Sequence, residues 1–506
     1  MPSVGRGGGL VGKGLFGTDR VCGVVAAETA REMSSQLRRA LRRTRTLELR
    51  LDYLRDAEER DAFLSSLRRT RPRAVLIATC RRKEGGGRYS GSRRQQIEIL
   101  QQAVRSGCRW CDVEIETARE LAGSELARRL APARLLVSHH DFRGTPRKLD
   151  AIVGGLRRAG GDAIKIAAQC RSIDDSLRVC ARARKRHDVV AIPMGEVGFA
   201  GRVLSLCMGS ALAYAAVEQA TAPGQLSLDA MAGLYRAGKI SARTRVYGVI
   251  GDPIGHSLSP LLHNTAFQAR KFDAVFVPFL VRDLRDFLGA IRGFGVAGVS
   301  VTIPHKEAIL KFLDGCDPLA ERIGAVNTLV VRGGGRLYGY NTDYVGVLRS
   351  LEQRMRLAGS RVLLLGAGGA ARAAAFALAQ AGSIVCLCAR RPERAKALAR
   401  AAGGQVVERG ALAHEFFDAI VNCTPIGMFP NGGSPLESAE LNCRLVMDMV
   451  YRPLETELLR MARRKRIETI SGVEMFLAQG FAQYEIWTGE RAPESAMRRA
   501  VIAALK

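Results

Sequence analysis

Asp162-Ala163-Ile164-Lys165-Ile166-Ala167 is an apolar, strand-like run carrying a single amine. A lysine held among isoleucine and alanine loses solvation, which disfavours its charged form and leaves a nucleophile able to attack a ketone. Taken alone, the run also fits a strand-end lysine whose stem reaches out to water. The stretch before it decides between the two. Ser138-His139-His140-Asp141-Phe142 closes the preceding apolar run and supplies the imidazole that Schiff-base chemistry needs to move protons.

Working outward, short apolar runs alternate with Arg-rich helical segments from Val21 to Gly238. Strands are predicted over 21–26, 46–50, 74–79, 110–114, 134–138, 163–167 and 189–193. Some eight strand–helix units in about 220 residues predict a (β/α)8 barrel. Polar residues stand where the runs end: Glu48, Arg50, Arg81, Glu84, Glu114, His140 and Lys165. A barrel gathers those strand ends around one mouth, where ionisable groups are more often catalytic than structural. The pattern breaks over 237–245 and restarts at Val246-Tyr247-Gly248-Val249-Ile250-Gly251. The expected organisation is α/β throughout: a flexible Gly-rich leader over 1–18, the barrel over 19–240, and an α/β lobe over 241–345. A Rossmann-type lobe follows over 346–471, and closing helices over 472–506 pack back on the lobe 241–345.

At 506 residues the chain exceeds what one core can bury, so several domains are expected. Lys and Arg number 77 against 49 Asp and Glu, a net charge of +28. That excess is dispersed, in pairs such as Arg38-Arg39 and Arg157-Arg158, with no basic tail and no aromatic-interleaved basic motif. It suits attraction of small anionic substrates and gives no reason to expect nucleic acid. The 12 cysteines are scattered, mostly in apolar runs, which fits free thiols in a reducing cytoplasm. Cys108-Arg109-Trp110-Cys111 has no second pair or histidine cluster to complete a zinc site, so no metal is expected. No run of about 18 residues is apolar and uncharged, so no membrane span is expected.

Several stretches of the first half resemble the type I 3-dehydroquinate dehydratases, in order and spacing. They are Leu47-Glu48-Leu49-Arg50, Cys80-Arg81-Arg82-Lys83-Glu84-Gly85-Gly86, Ser138-His139-His140-Asp141-Phe142, Lys165, Met194-Gly195 with Arg202, and Ala222-Pro223-Gly224-Gln225. The resemblance implies an imine between Lys165 and the substrate ketone, with His140 moving protons and Glu84 tuning the imidazole. It implies Arg81 and Arg202 on the carboxylate and nearby oxygens. Glu48, Arg50, Thr221 and Gln225 would face ring hydroxyls.

In the second half, Val362-Leu363-Leu364-Leu365 runs into Gly366-Ala367-Gly368-Gly369-Ala370-Ala371 and then an Ala-rich helix. The first glycine allows a tight turn, the second lets a pyrophosphate approach the backbone, and Ala371 keeps helix and sheet close. The next strand ends in Arg390-Arg391 where NAD-binding folds usually carry an acid, which favours a 2′-phosphate and hence NADP. Ser257-Leu258-Ser259-Pro260, Val301-Thr302-Ile303-Pro304-His305-Lys306, Ala325-Val326-Asn327-Thr328 and Asn341-Thr342-Asp343 resemble the shikimate dehydrogenases. So do Asp448-Met449-Val450-Tyr451 and Gly472-Val473-Glu474-Met475 with Gln479. This resemblance implies a two-lobed unit in which Lys306 protonates a nascent alkoxide and Asp343 orients it. Ser257, Ser259, Thr302, Asn327, Tyr451 and Gln479 would hold the substrate, with Met449 and Gly472 at the cofactor. Ser257 also fits a helix cap. Ser300 departs from the pattern, since many relatives carry Asn there.

Together the two resemblances imply one enzyme that converts 3-dehydroquinate to 3-dehydroshikimate and then, with NADPH and no metal, to shikimate. A quinate-handling dehydrogenase and a non-catalytic regulator built on the same folds are the alternatives. The presence of Lys165, His140, Lys306 and Asp343 together speaks against the regulator.

Overall fold

The computed structural model describes residues 15–121, 123–218 and 224–505. Contacts divide the chain into two compact units, Met1–Thr244 with Arg285–Phe294, and Arg245–Leu284 with Gly295–Lys506.

The first unit is built on one parallel sheet of β1 (Val21–Val25), β2 (Thr46–Arg50), β3 (Val75–Thr79), β4 (Trp110–Glu114), β5 (Arg134–Asp141), β6 (Ala163–Gln169), β7 (Val189–Met194) and β8 (Ala213–Ala216). The strands pair in chain order, and β8 pairs in parallel with β1. At the remaining seam Ala211 N donates to Val189 O at 2.8 Å, so the sheet is a near-closed barrel. Both faces of β1, β2 and β4 are buried, one by the interior and the other by helices. Ser and Asp side chains cap those helices, as at Asp56, whose carboxylate accepts from Glu59 N at 2.9 Å. The interior is filled by Cys22, Val24, Ile77, Trp110, Leu136 and Val190, and Phe16 closes its floor with its ring centroid 4.2 Å from that of Trp110.

Two features differ from expectation. β8 escaped the strand reading because Ala213-Tyr214-Ala215-Ala216 has no β-branched residue, and pairing with β1 overrides that weak propensity. Phe16 is buried, so residues 15–18 join the barrel instead of a leader, while 1–14 lie outside the described residues.

The second unit has two six-stranded sheets. The first, mixed, runs β10 (Ala274–Leu280), β9 (Arg245–Gly251), β11 (Val296–Val301), β13 (Thr328–Arg332), β14 (Arg336–Tyr340), β12 (Gly315–Cys316). The second is parallel throughout, in the order β17 (Gln405–Val406), β16 (Ile384–Cys388), β15 (Arg361–Leu365), β18 (Phe417–Asn422), β19 (Cys443–Asp448), β20 (Glu468–Ile470). The helix Gly472–Thr488 is apolar on nearly every side, which is the pattern of a helix buried all round. Its Phe476, Phe481, Tyr484 and Trp487 share a core with Tyr247, Phe267 and Phe276 of the mixed sheet and its helix. That burial carries Gln479 and Gln483 inside with it. Among the described residues no helix is long and apolar enough to cross a membrane.

Candidate active sites

Side chains alternate along a strand, so one set from each barrel strand points inward. Glu48 and Arg50 of β2, Asp112 and Glu114 of β4, Ser138 and His140 of β5, and Lys165 of β6 share that face. An open cavity is lined by Glu48, Arg50, Arg81, His140, Lys165 and Arg202, with Tyr214 and Gln225 also on its wall.

Lys165 is 2% exposed, but it is not an amine isolated among apolar neighbours. Alternation turns it away from Ile164 and Ile166 into the barrel. There Nζ is 3.1 Å from Glu48 Oε1, paired with Asp112 Oδ2, and 4.4 Å from the Tyr214 ring centroid. Asp112 Oδ1 accepts from Arg81 Nη2 at 2.6 Å and from Ser138 Oγ at 2.7 Å. Despite complete burial, which opposes it, the charges of Arg81 and Lys165 hold this carboxyl well below its usual range. Arg81 Nη1 also lies 3.2 Å from His140 Nδ1. Burial, with Arg81 and Lys165 beside it, keeps the His140 imidazole far below its ordinary pKa, so the ring is neutral. Burial likewise pushes the Arg202 guanidinium down to about 10.

Glu84 is not brought to the imidazole. It sits on the single turn Lys83–Gly85 with its side chain 73% exposed, 3.2 Å from Arg82 Nη2. The turn is too short to swing it inward. Glu114 fastens that turn from beneath, accepting from Arg82 N at 2.8 Å and Gln96 Nε2 at 2.7 Å. Gly86 ends it at φ 78°, a backbone conformation that favours glycine, and a Cβ there would press on the tip of the Phe142 ring. Arg50 is clamped by Asp52, with Nε and Nη2 at 3.0 and 2.8 Å from its two oxygens. Thr221 lies outside the described residues. Asp112 and Tyr214 were missed by sequence reasoning. The signal for Asp112 was present, because it stands two residues before Glu114 on a predicted strand.

In the second unit, Lys306 Nζ donates to Asp343 Oδ2 at 2.6 Å, and Asn327 Nδ2 donates to Asp343 Oδ1 at 2.8 Å. Asp343 opens the helix Asp343–Glu352, where the N-terminal end of the helix dipole favours a carboxylate. Ser257 Oγ accepts from Ser259 N at 3.2 Å in the turn that leads into the helix Ser259–Arg270, whose N-cap position is Leu258. Gln479 is buried with Nε2 on Phe476 O at 2.9 Å, and the Tyr451 ring stacks on Phe476 with centroids 4.9 Å apart. Thr302 is half-buried just beyond β11.

A Gly-rich turn follows β15. Gly366 has φ 107°, a backbone closed to L side chains, and Gly368 and Gly369 leave open space at the start of the helix Gly369–Gln380. An open turn at a helix N-terminus fits a pyrophosphate. Ala367 and Ala370 border it half-buried, Ala371 is buried against the sheet, and Arg390 and Arg391 are exposed at the end of β16. Gly472 packs on the backbone of Met449, its Cβ position 2.6 Å from Met449 O.

Residues 21–242 match the family described as type I 3-dehydroquinase. Residues 249–329 match the shikimate dehydrogenase substrate binding domain, and 472–502 the shikimate 5′-dehydrogenase C-terminal domain. Residues 361–451 match a family described as NADP oxidoreductase, coenzyme F420-dependent. A relative from Arabidopsis thaliana, named bifunctional 3-dehydroquinate dehydratase/shikimate dehydrogenase, chloroplastic, is 35% identical over 500 residues, 94% of this chain and 83% of its own. The NADP(+) shikimate dehydrogenase of Symbiobacterium thermophilum is 46% identical over 283 residues, 52% of this chain and 95% of its own. A crystal structure of a shikimate dehydrogenase in complex with NADP+ superposes with a TM-score of 0.50 at 36% identity, covering 52% of this chain and 97% of that one. With both sets of family matches on one polypeptide and a relative aligned across 94% of it, the chain belongs to the bifunctional 3-dehydroquinate dehydratase/shikimate dehydrogenase family.

Proposed function

We propose that two lysines divide the work of this bifunctional enzyme. Lys165 forms an imine with 3-dehydroquinate and drives its dehydration to 3-dehydroshikimate. Lys306 supplies the proton for the NADPH-dependent reduction of that product to shikimate. The observation that carries the reading is Lys165 Nζ, buried 3.1 Å from Glu48 and paired with Asp112, on the wall of one cavity with His140 and Arg202.

Lys165 must shed a proton before it can attack. The neutral His140 imidazole on the same cavity wall can take it and return it to the departing oxygen, while Asp112, its other oxygen pinned by Arg81 and Ser138, aims the amine. Addition of the amine to the ketone and loss of water leave an iminium. His140 then removes the proton between iminium and carbinol, and the electron pair passes through the C=N bond to form an enamine. The enamine expels hydroxide, which takes the proton back from His140, and water hydrolyses the conjugated imine. Arginine can only donate, so with Arg81 at Nδ1 the neutral ring carries its proton on Nε2. Substrate oxygens that draw Arg81 away free Nδ1 to act as base. Arg202 and Gln225 bind the carboxylate and ring oxygens.

In the second reaction Asp343 orients the Lys306 ammonium toward the alkoxide that forms as the carbonyl is reduced. NADPH, when bound, supplies the hydride. The turn Gly366–Ala371 would hold its pyrophosphate, and Arg390 with Arg391 its 2′-phosphate. Neither reaction calls for a metal, because the iminium accepts the electron pair in one and Lys306 neutralises the charge in the other. We assign the barrel to 19–240, the substrate lobe to 241–345 completed by 472–506, and the cofactor lobe to 346–471. All twelve cysteines are free thiols and seven are buried, which supports the cytoplasm as the site of action. The test is borohydride reduction in the presence of 3-dehydroquinate followed by peptide mass spectrometry. An adduct on Lys165 is expected, and no adduct would overturn the first assignment. Relative rates on shikimate and quinate, with NADP and NAD, test the second.

A further inference from the structure

Behind Lys306 lies a set of buried polar side chains that the mechanism above does not use: His263, Ser300, Thr328 and Gln483. They come from the helix Ser259–Arg270, β11, β13 and the helix Gly472–Thr488. Gln483 Nε2 approaches the backbone carbonyl of Asn327 at 3.3 Å and Thr328 Oγ1 at 3.1 Å. A carbonyl accepts and never donates, so that contact fixes which end of the carboxamide is nitrogen. The other end, Oε1, lies 2.8 Å from Ser300 Oγ and 3.2 Å from His263 Nε2, and both must donate to it. Burial pushes the His263 imidazole down to about 3, so the ring is neutral and its single proton sits on Nε2. Phe276 and Trp487 hold the ring in place, with centroids 4.5 and 5.0 Å away.

The direction of donation then propagates. Thr328 Oγ1, accepting from Gln483, donates to Asn327 Oδ1 at 2.8 Å. Asn327 Nδ2 donates to Asp343 Oδ1 at 2.8 Å, and Asp343 Oδ2 meets Lys306 at 2.6 Å. One-way bonds thus run from His263 to the ion pair, and Ser300 branches from them at Gln483. The single hydrogen of the Ser300 hydroxyl is committed to Gln483, which leaves lone pairs alone for any other partner. Ser300 precedes Thr302 by two residues in extended chain, so the two side chains share a face.

We propose that Gln483, held by His263, locks Ser300 as an acceptor-only contact in the dehydrogenase site, so that Ser300 selects a ring hydroxyl of the ligand over a carbonyl or ether oxygen at that point. The inference rests on Lys306 and Asp343 marking the dehydrogenase site. An amide at this position, as in many relatives, could also donate; Ser300 in this setting cannot. Gln483 and His263 are positioning residues, acting through Ser300.

The test uses the full chain, with dehydratase activity as a check on the first unit and NADP binding as a check on the second. Specificity constants are measured for shikimate and for the two singly deoxygenated analogues that keep the hydroxyl being oxidised. The wild type is expected to reject one analogue by about tenfold or more, and Ser300→Ala to reject that same analogue by no more than about twofold. Ser300→Ala removes one hydroxyl and should raise KM while kcat stays within about threefold. Gln483→Met should reproduce this pattern, and the double variant should be no worse than Ser300→Ala alone. Intact discrimination against both analogues in Ser300→Ala overturns the proposal, as do losses that multiply in the double variant. A wild type that oxidises no shikimate with NADP refutes the dehydrogenase assignment itself, an outcome separate from these.

Discussion

Lys165 and Lys306 are the same functional group set in two kinds of surroundings. The Lys165 side chain is 3% exposed, with two carboxylates and a phenol around its nitrogen. The Lys306 side chain keeps 23% of its surface exposed and faces one carboxylate, itself steadied by an asparagine. The contrast follows the chemistry proposed for each. An amine that bonds to carbon must hand its proton to a neighbour and keep bulk water from the imine. A proton donor must be refilled at every turnover, which solvent access allows, and one partner is enough to aim it. On the roles proposed for the two lysines, burial would serve the covalent step and access the proton step.

The sharpest way to break this comparison is to remove each amine singly. Lys165→Met should lower dehydration by about 10⁴-fold, followed by the absorbance of the conjugated product, with NADP-linked shikimate oxidation retained. Lys306→Met should do the reverse, lowering the kcat of shikimate oxidation by about 10²- to 10⁴-fold. If either variant damaged both reactions equally, the division of labour would be wrong. Asp112→Asn should cost about 3 kcal/mol in denaturant unfolding, because Arg81 and Lys165 lose their shared counter-charge, and should also slow dehydration.

The pH dependence of stability sharpens the contrast from the dehydrogenase side. The folded pKa of His263 is depressed to about 3, so between about pH 6.5 and 3 the unfolded chain binds a proton that the folded chain refuses. Stability from this residue is therefore intact above about 6.5 and falls as pH drops toward 3, by at most about 1.4 kcal/mol per pH unit. His263→Phe should flatten that slope in urea titrations across the window. The smallest effect is expected from Arg390→Ala, which should raise the KM for NADPH by about five- to tenfold with little change for NADH.

The two lysines were legible in the sequence because each lies in a run of distinctive neighbours: Lys165 after His140-Asp141-Phe142, Lys306 in Thr302-Ile303-Pro304-His305. Seven barrel strands were legible for the same reason, through their apolar runs. What failed depended on direction. Glu84 has the expected neighbours, yet the length of its turn determines where the carboxylate points, and it points to solvent. Asp112 lay hidden between Cys111 and Val113 until alternation turned it inward beside Lys165. Gln483 could not be recognised from a helix that is apolar on nearly every side, since its role depends on residues 155 and 183 positions away.

Phe16, seated on Trp110 beneath the barrel interior, closes the floor of the barrel among the described residues. On the proposed chemistry, ligand, the water released by dehydration and the water that cleaves the imine would share the end of the barrel opposite Phe16. A compound that corks that end would arrest loading and discharge together.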